Sequence, residues 1–431
     1  MRLRGPWVPT LLCSVAVGLL ANACAAISGL QDYSEGPGAG VSSRAGADGA
    51  VADGATGSDA ATGSDAPSFD APDAPGCPFG GCDGYVDPPD DAMSCTAGLG
   101  YAPSNFNPAS YAAPEIATTI DCDTTYDSTA HSFIGWCPGR AAPLITSDLT
   151  QAGGPNIDVL AFRGLTIDAG VILTLTGRNA IVLAVYGDAN IAGTIDADGN
   201  GGASGSSVPG ASGPGGDYDC GGSAGGTGDT ATSNSGGGGG AASTAGGKGA
   251  NDCPVVATGG VAGIPRADVS LKPLYGGCPG GQSGPGGCTS GGGGGGGAIQ
   301  ISAAGALNVD GTLTANGGAG GTSSCTENII GVTYYGGGGG GGAGGAILLE
   351  GHTVTVTGTT SVHGGRGGAS GGSGAADPAS TGTDGTPASC PGTGVAGGGG
   401  GGGYGYEKTN TGAAPSYACS SRGCVDAGCS D

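Results

Sequence analysis

The chain has 431 residues, 104 of them glycine, and a formal net charge of −23 with only 12 lysines and arginines. Nucleic-acid binding needs a basic footprint that this composition lacks, so nucleic acid is excluded as a partner. Sixteen cysteines suit disulfides formed in an oxidising compartment.

Arg2 and Arg4 precede an apolar run from Trp7 to Ala21, too short to span a bilayer as an ordinary helix. Residues 1–23 read as a secretory signal peptide. The string Leu20-Ala21-Asn22-Ala23-Cys24 resembles a bacterial lipobox, which implies lipidation of Cys24 and a membrane partner through that anchor. Ala21-Asn22-Ala23 also fits an A-x-A cleavage site, the alternative being a freely secreted chain. Ala25 stands where an aspartate would resemble an inner-membrane retention signal, so the expected address is the outer membrane or cell surface.

Residues 24–94 form an acidic linker of Ala, Gly, Ser, Asp and Pro, in which the block ATGSDA occurs twice. So few apolar side chains cannot offset the ordering entropy, and the sequence predicts a disordered tether. Residues 95–156 concentrate aromatic side chains around Cys95, Cys122 and Cys137. They read as a stapled N-terminal cap, the kind of element a repeat stack needs at an open end.

From Ile157 the apolar residues alternate: Leu165 with Ile167, then Leu173 with Leu175, then Ile181, Leu183 and Val185. Period two over short runs, with turns such as Asp168-Ala169-Gly170 and Gly177-Arg178-Asn179, predicts strands of three to five residues. One motif then recurs at residues 180–202, 298–321 and 346–368. Ile181, Ile299 and Ile347 correspond, as do Leu183, Ile301 and Leu349, and Ile191, Val309 and Val356. Gly193, Gly311 and Gly358 follow, each before a threonine, where a corner would use the backbone angles open to glycine. Such self-similarity predicts an all-β parallel β-solenoid with long Gly-rich loops over residues 157–410. Tyr404 and Tyr406 read as the start of a degraded further copy. Residues 411–431 form a Cys-rich tail.

Glycine runs such as residues 291–297 are expensive to order. They either remain mobile or pack as extended backbones in a polyglycine II-like layer. Disulfides would then help decide whether the domain folds. With Cys13 removed and Cys24 lipidated, the disulfide candidates are Cys77, Cys82, Cys95, Cys122, Cys137, Cys220, Cys253, Cys278, Cys288, Cys325, Cys390, Cys419, Cys424 and Cys429. Cys220, Cys253, Cys278 and Cys288 make an even set within the first long insertion. Cys325 and Cys390 follow successive repeats and are expected to pair.

Metal and catalytic motifs are sparse. Asp196, Asp198 and Asn200 resemble the front half of a calcium loop, but Ser207 occupies the place of the bidentate glutamate. They are the calcium candidates in a chain otherwise expected to hold no metal and no cofactor. His131, His352 and His363 fall in no zinc or catalytic spacing, and His363 reads as a turn residue. The glycine runs lack a Lys-Ser/Thr ending and a following helix, which excludes a phosphate loop. Glycoside cleavage needs two fixed carboxylates, and Asp158, Asp168, Asp188, Asp196 and Asp310 are the supply, each at a predicted turn. A lyase would draw on Arg163 or Arg178.

The GGAI-x-L…GT-x-x-A-x-GG-x-GG repeats resemble those of the glycine-rich PGRS-type surface proteins. The signal, Cys24 and the following Ala-Ala-Ile-Ser-Gly-Leu-Gln-Asp-Tyr look like glycine-rich lipoproteins of myxobacterial-type Gram-negatives. The helical N-terminal module of mycobacterial PGRS proteins has no counterpart here. The resemblance implies a cell-surface location without catalysis. The expected function is a structural or adhesive surface lipoprotein with a polysaccharide or cell-surface partner and no catalytic residues. The alternative is a carbohydrate-active β-helix enzyme, and a third reading is ice or mineral binding by a threonine-lined face.

Overall fold

A computed structural model describes residues 99, 101–229, 235–252, 258–266, 270–284, 288–323, 326–329, 332–371, 382–383, 385 and 399–411. Among these residues the protein is all-β, with no α-helix and mostly parallel pairing. The signal peptide, Cys24, the acidic linker and the Cys-rich tail lie outside the described residues.

The strands run β1 (Thr118–Ile120), β2 (Thr124–Asp127), β3 (Ser132–Ile134), β4 (Leu144–Leu149), β5 (Ile157–Phe162), β6 (Leu165–Ile167), β7 (Ile172–Thr176), β8 (Ala180–Val185), β9 (Ala189–Ile191) and β10 (Thr194–Asp196). After the first long insertion come β11 (Ala298–Val309), β12 (Thr312–Thr314), β13 (Thr326–Ile329), β14 (Val332–Tyr335), β15 (Ala346–Val356), β16 (Thr359–Ser361) and β17 (Tyr406–Thr411). β13 and β14 pair antiparallel in a two-stranded sheet of their own.

Three parallel ladders carry the repeats. β5, β8, the first half of β11, the first half of β15 and β17 make one. β1, β6, β9 and the second halves of β11 and β15 make the next. The third is β2, β7, β10, β12 and β16. The repeat alignment holds residue by residue: Ile181 pairs with Ile299 and Ile299 with Ile347, while Ile191 pairs with Val309 and Val309 with Val356. β17 continues the first ladder, with Ala346 beside Tyr406.

Two features depart from the period-two expectation. β11 spans 12 residues and β15 spans 11, longer than the predicted strands. Each continues through the position equivalent to the corner between β8 and β9, with a register shift between Ala303 and Ala306 of β11. Second, β5 and β8 are buried along their whole length. Their inner side chains (Leu160, Phe162, Ile181, Leu183, Val185) pack with Leu173, Leu175 and Ile195 of the third ladder. Their outer side chains (Ile157, Val159, Val182), with Tyr186 just after β8, pack under Leu99, Tyr101, Phe106 and Tyr111. Burying both faces explains why AIVLAV and IDVLAF read as near-continuous apolar runs.

The N-terminal region divides in two. Residues 101–113 cross the outer face of the first ladder, where Tyr186 Oη donates to the Pro108 carbonyl at 2.8 Å. β2 and β3 form an antiparallel hairpin, closed by the Cys122–Cys137 disulfide, at the edge of the third ladder.

The glycine runs pack as a hydrogen-bonded layer. In residues 291–297, the amides of Gly291, Gly294 and Gly297 donate to Ala203, Asn200 and Ala197. Those of Gly293 and Gly296 donate to Gly340 and Ala343. In residues 316–323, Gly317, Gly320 and Ser323 donate to His363, Arg366 and Ala369, while Gly318 and Gly321 turn to Gly294 and Gly291. Donors that change neighbour with period three belong to a helix of three residues per turn without internal hydrogen bonds, the polyproline II geometry. A β-carbon on Gly292 or Gly295 would lie 1.9 or 2.0 Å from the carbonyl oxygen of Gly280 or Gly277. Of the two expectations for these glycines, the polyglycine II-like layer is the one observed in the described segments.

The glycines before each repeated threonine have a different cause from the one expected. Gly193, Gly311 and Gly358 have no positive φ. Close stacking selects them instead: a β-carbon on Gly358 would lie 1.9 Å from the Gly311 carbonyl oxygen.

Candidate functional site

A cluster of ionisable side chains lies where β2–β3 meets β4–β5. Asp127 Oδ1 accepts from the Thr129 amide at 2.8 Å and shapes the hairpin turn, which carries His131 at φ 51°. A register shift in β4 between Thr146 and Leu149 holds Asp148 at φ 57°. Left-handed backbone at two non-glycine residues facing each other is an uncommon arrangement, more tolerable for Asp and His than for bulkier residues. Asp158, predicted at a turn, lies inside β5 with its side chain fully buried.

Asp158 accepts four hydrogen bonds. Tyr126 Oη donates to its Oδ2 at 2.8 Å, and His131 Nδ1 lies 2.9 Å from the same oxygen. The Asp148 amide and Asn179 Nδ2 donate to its Oδ1 at 3.0 and 2.9 Å. Asn179 Nδ2 also reaches Asp148 Oδ1 at 2.8 Å, and His131 Nε2 lies 3.1 Å from Asp148 Oδ2. The hydrogen bond to Asp158, and then the charges of Asp158 and Asp148, hold the His131 pKa above its ordinary value. The Asn179 hydrogen bond, with His131 adding to it, holds Asp148 below the usual carboxylate range.

His131, Asp148 and Asp158 approach within 4.8 Å of one another, a spacing that could hold a metal ion. The two carboxylates face opposite nitrogens of the ring, however, so an ion on one nitrogen is poorly placed for both. Asp121, Cys122 and Cys137 also cluster, but both sulfurs are used in the disulfide.

A second feature is a cavity of about 660 Å³ between β7 and residues 211–218. Asp196, Asp198 and Asn200, the calcium candidates, line it together with Arg178, Asp217 and Tyr218. Asp196 Oδ1 accepts from the Asp198 amide and from Thr314 Oγ1, at 3.0 and 3.3 Å. Asp198 accepts from the amide and the side chain of Asn316, at 2.6 and 3.2 Å. These carboxylates tie one repeat to the next. Partial loss of solvent inside the cavity raises the Asp198 and Asp217 carboxyls, although both residues keep much of their surface in water.

A third cluster lies beneath residues 101–113. The buried Glu350 accepts from Ser104 Oγ at 2.5 Å, Gln300 Nε2 at 2.8 Å, Ser302 Oγ at 3.0 Å and Asn410 Nδ2 at 3.1 Å. Neutral donors satisfy this carboxylate and tie the crossing segment to β11, β15 and β17.

The other sequence candidates separate. Asp168, Asp188 and Asp310 lie in the short connections between strands, and Asp188 Oδ1 accepts from the Ala306 amide at 2.8 Å. His363 is exposed, with its ring 5.4 Å from that of Tyr404. Cys220 pairs with Cys278 within the first insertion, and Cys288 is disulfide-bonded as well. Cys77, Cys82, Cys95, Cys253, Cys325, Cys390, Cys419, Cys424 and Cys429 lie outside the described residues, and with them the expected Cys325–Cys390 pair. Asp148, Asn179 and Tyr126 were not legible as partners. The one available signal was Asp158 itself, an ionisable residue inside the apolar run Ile157–Phe162.

Comparison of the chain with protein-family models, with curated proteins and with solved structures finds no match. No helix among the described residues is long and apolar enough to cross a membrane.

Proposed function

We propose that the chain is a non-catalytic cell-surface lipoprotein with a structural or adhesive role. In this reading Cys24 anchors it to the outer membrane, and the three ladders are the faces of a parallel β-solenoid. The observation that carries the reading is the glycine layer. Many of the described residues are committed to backbone-to-backbone hydrogen bonds between segments, an arrangement suited to a stiff scaffold. Stiffness at high glycine content serves a scaffold or spacer directly. The resemblance of the repeats to PGRS-type surface proteins supports the same location.

Glycan-array and whole-cell binding by the mature ectodomain, with and without calcium, tests the adhesive role. Incorporation of labelled fatty acid that Cys24→Ser abolishes tests the anchor. A soluble, unlipidated mature chain that binds neither glycans nor cells, in a strain whose envelope is unaffected by its deletion, defeats the reading.

One observation favours the carbohydrate-active alternative: Asp198 and Asp217, both with raised carboxyls, line the same cavity. General acid catalysis uses a carboxyl shifted in this direction. Polysaccharide cleavage that disappears in Asp217→Asn while the fold persists would replace the scaffold reading with this one.

A further inference from the structure

His131 is held by two acceptors at once. Asp158 Oδ2 faces Nδ1 at 2.9 Å and Asp148 Oδ2 faces Nε2 at 3.1 Å. A neutral imidazole has one N–H and one lone pair, whereas an ionised carboxylate only accepts. In the neutral ring one nitrogen would turn a lone pair toward a carboxylate oxygen. The observed geometry therefore belongs to the doubly protonated ring.

The position of this group matters. His131 sits in the β2–β3 turn at the edge of the third ladder, while Asp148 and Asp158 sit on β4 and β5 at the edge of the first. The ion pair joins the ends of two sheets. Beside it lie Tyr126, Phe133 and Trp136, packed as tilted rings with centroids 4.9 and 4.5 Å apart. We propose that His131, Asp148 and Asp158 form a proton-operated latch that closes this end of the stack when His131 is charged and loosens it when His131 loses its proton.

The surrounding charges agree with this sign. Asp127 ends β2 at the start of the same turn, Asp148 lies on β4 and Asp158 on β5. Arg178, in the turn packed against the hairpin, has its backbone amide on Thr129 Oγ1 at 3.1 Å. Asn179 and Tyr126 add neutral donors to the carboxylates and none to the ring. His131 is the cation that bonds both carboxylates. Because its folded pKa is raised, the latch stabilises fully below the ordinary histidine value of 6.5 and is lost as pH rises through the folded value. Asp148 sets the acid limit, since its lowered pKa keeps it ionised until pH falls below the usual carboxylate range.

Two measurements on the full oxidised chain test the latch. Carbon-13 labelling of histidine gives the His131 titration by NMR, with His131→Gln used for assignment. Hydrogen exchange with mass spectrometry, corrected for intrinsic rates, follows the β2–β3 and β4 peptides from pH 5 to 10. The expected result is a His131 midpoint above the ordinary 6.5. As pH rises through that midpoint, protection of these peptides falls, by about tenfold for every pH unit that separates the midpoint from the ordinary value. β8 and β11 hold their protection throughout. His131→Gln should show low protection and no step in this pH range. A His131 midpoint at or below 6.5, or protection that stays level through its titration in the unaltered chain, would overturn the proposal.

Discussion

Gly311 stacks so closely on Gly193 that a β-carbon on Gly311 would lie 1.9 Å from the Gly193 carbonyl oxygen. That same oxygen accepts the Thr312 amide at 2.9 Å, so it cannot retreat without breaking the ladder. Gly311→Ala should therefore destabilise the fold by about 2–3 kcal/mol or more, as overpacking against a fixed group does. Ala319 is exposed, and Ala319→Ser should stay within about 0.5 kcal/mol. Thermal denaturation of the two variants side by side checks the contrast.

Asp158→Ala should be among the most damaging single changes at the N-terminal end. It strands Tyr126 Oη and the Asp148 amide, leaves Asn179 Nδ2 only its Asp148 acceptor, and leaves the partly buried His131 without its main counter-charge. Removing one partner from a buried ion pair costs about 3–5 kcal/mol. Denaturant midpoints at about pH 6, where the latch is closed, measure it. Asp158→Asn should recover part of the loss by keeping acceptor capacity at one oxygen.

Much of the architecture is legible in the amino-acid sequence, and the reason is periodicity. Ile181, Ile299 and Ile347 face one interior, and a two-residue alternation between turn residues exposes such positions to inspection. The glycine layer uses a different period. Asn316-Gly-Gly-Ala319-Gly-Gly-Thr322 and His363-Gly-Gly-Arg366-Gly-Gly-Ala369 are triplets with one outward residue and two packed glycines. Period three, rather than period two, is the signal of these helices. The latch is hidden for another reason: Tyr126, His131, Asp148, Asp158 and Asn179 come from separate turns and strands, and no local spacing joins them.

Glu350→Ala should free residues 101–113 while leaving the ladders intact. Ser104, Gln300, Ser302 and Asn410 all donate to this one carboxylate, and Ala accepts nothing in its place. Limited proteolysis should cut within this segment in the variant before the unaltered chain is cleaved there. Glu350→Gln retains an acceptor oxygen and should fall between the two.

The Cys220–Cys278 bridge closes a loop of sequence separation 58, against 15 for Cys122–Cys137. Loop-closure entropy makes the longer bridge the more stabilising, within a usual range of about 2–5 kcal/mol for either. Paired serine substitutions should lower the melting temperature more for Cys220 and Cys278. Peptide mapping under non-reducing conditions should recover both bridges.

Holding extended segments together by peptide groups alters the calorimetry of the whole chain. Melting such a layer wets amides more than hydrocarbon, and amide hydration lowers the heat-capacity increment that hydrocarbon raises. Scanning calorimetry should give this protein less than the common value of about 12–15 cal/mol/K per residue. Its stability curve would be broad and shallow, with the cold-denaturation limit pushed further below freezing.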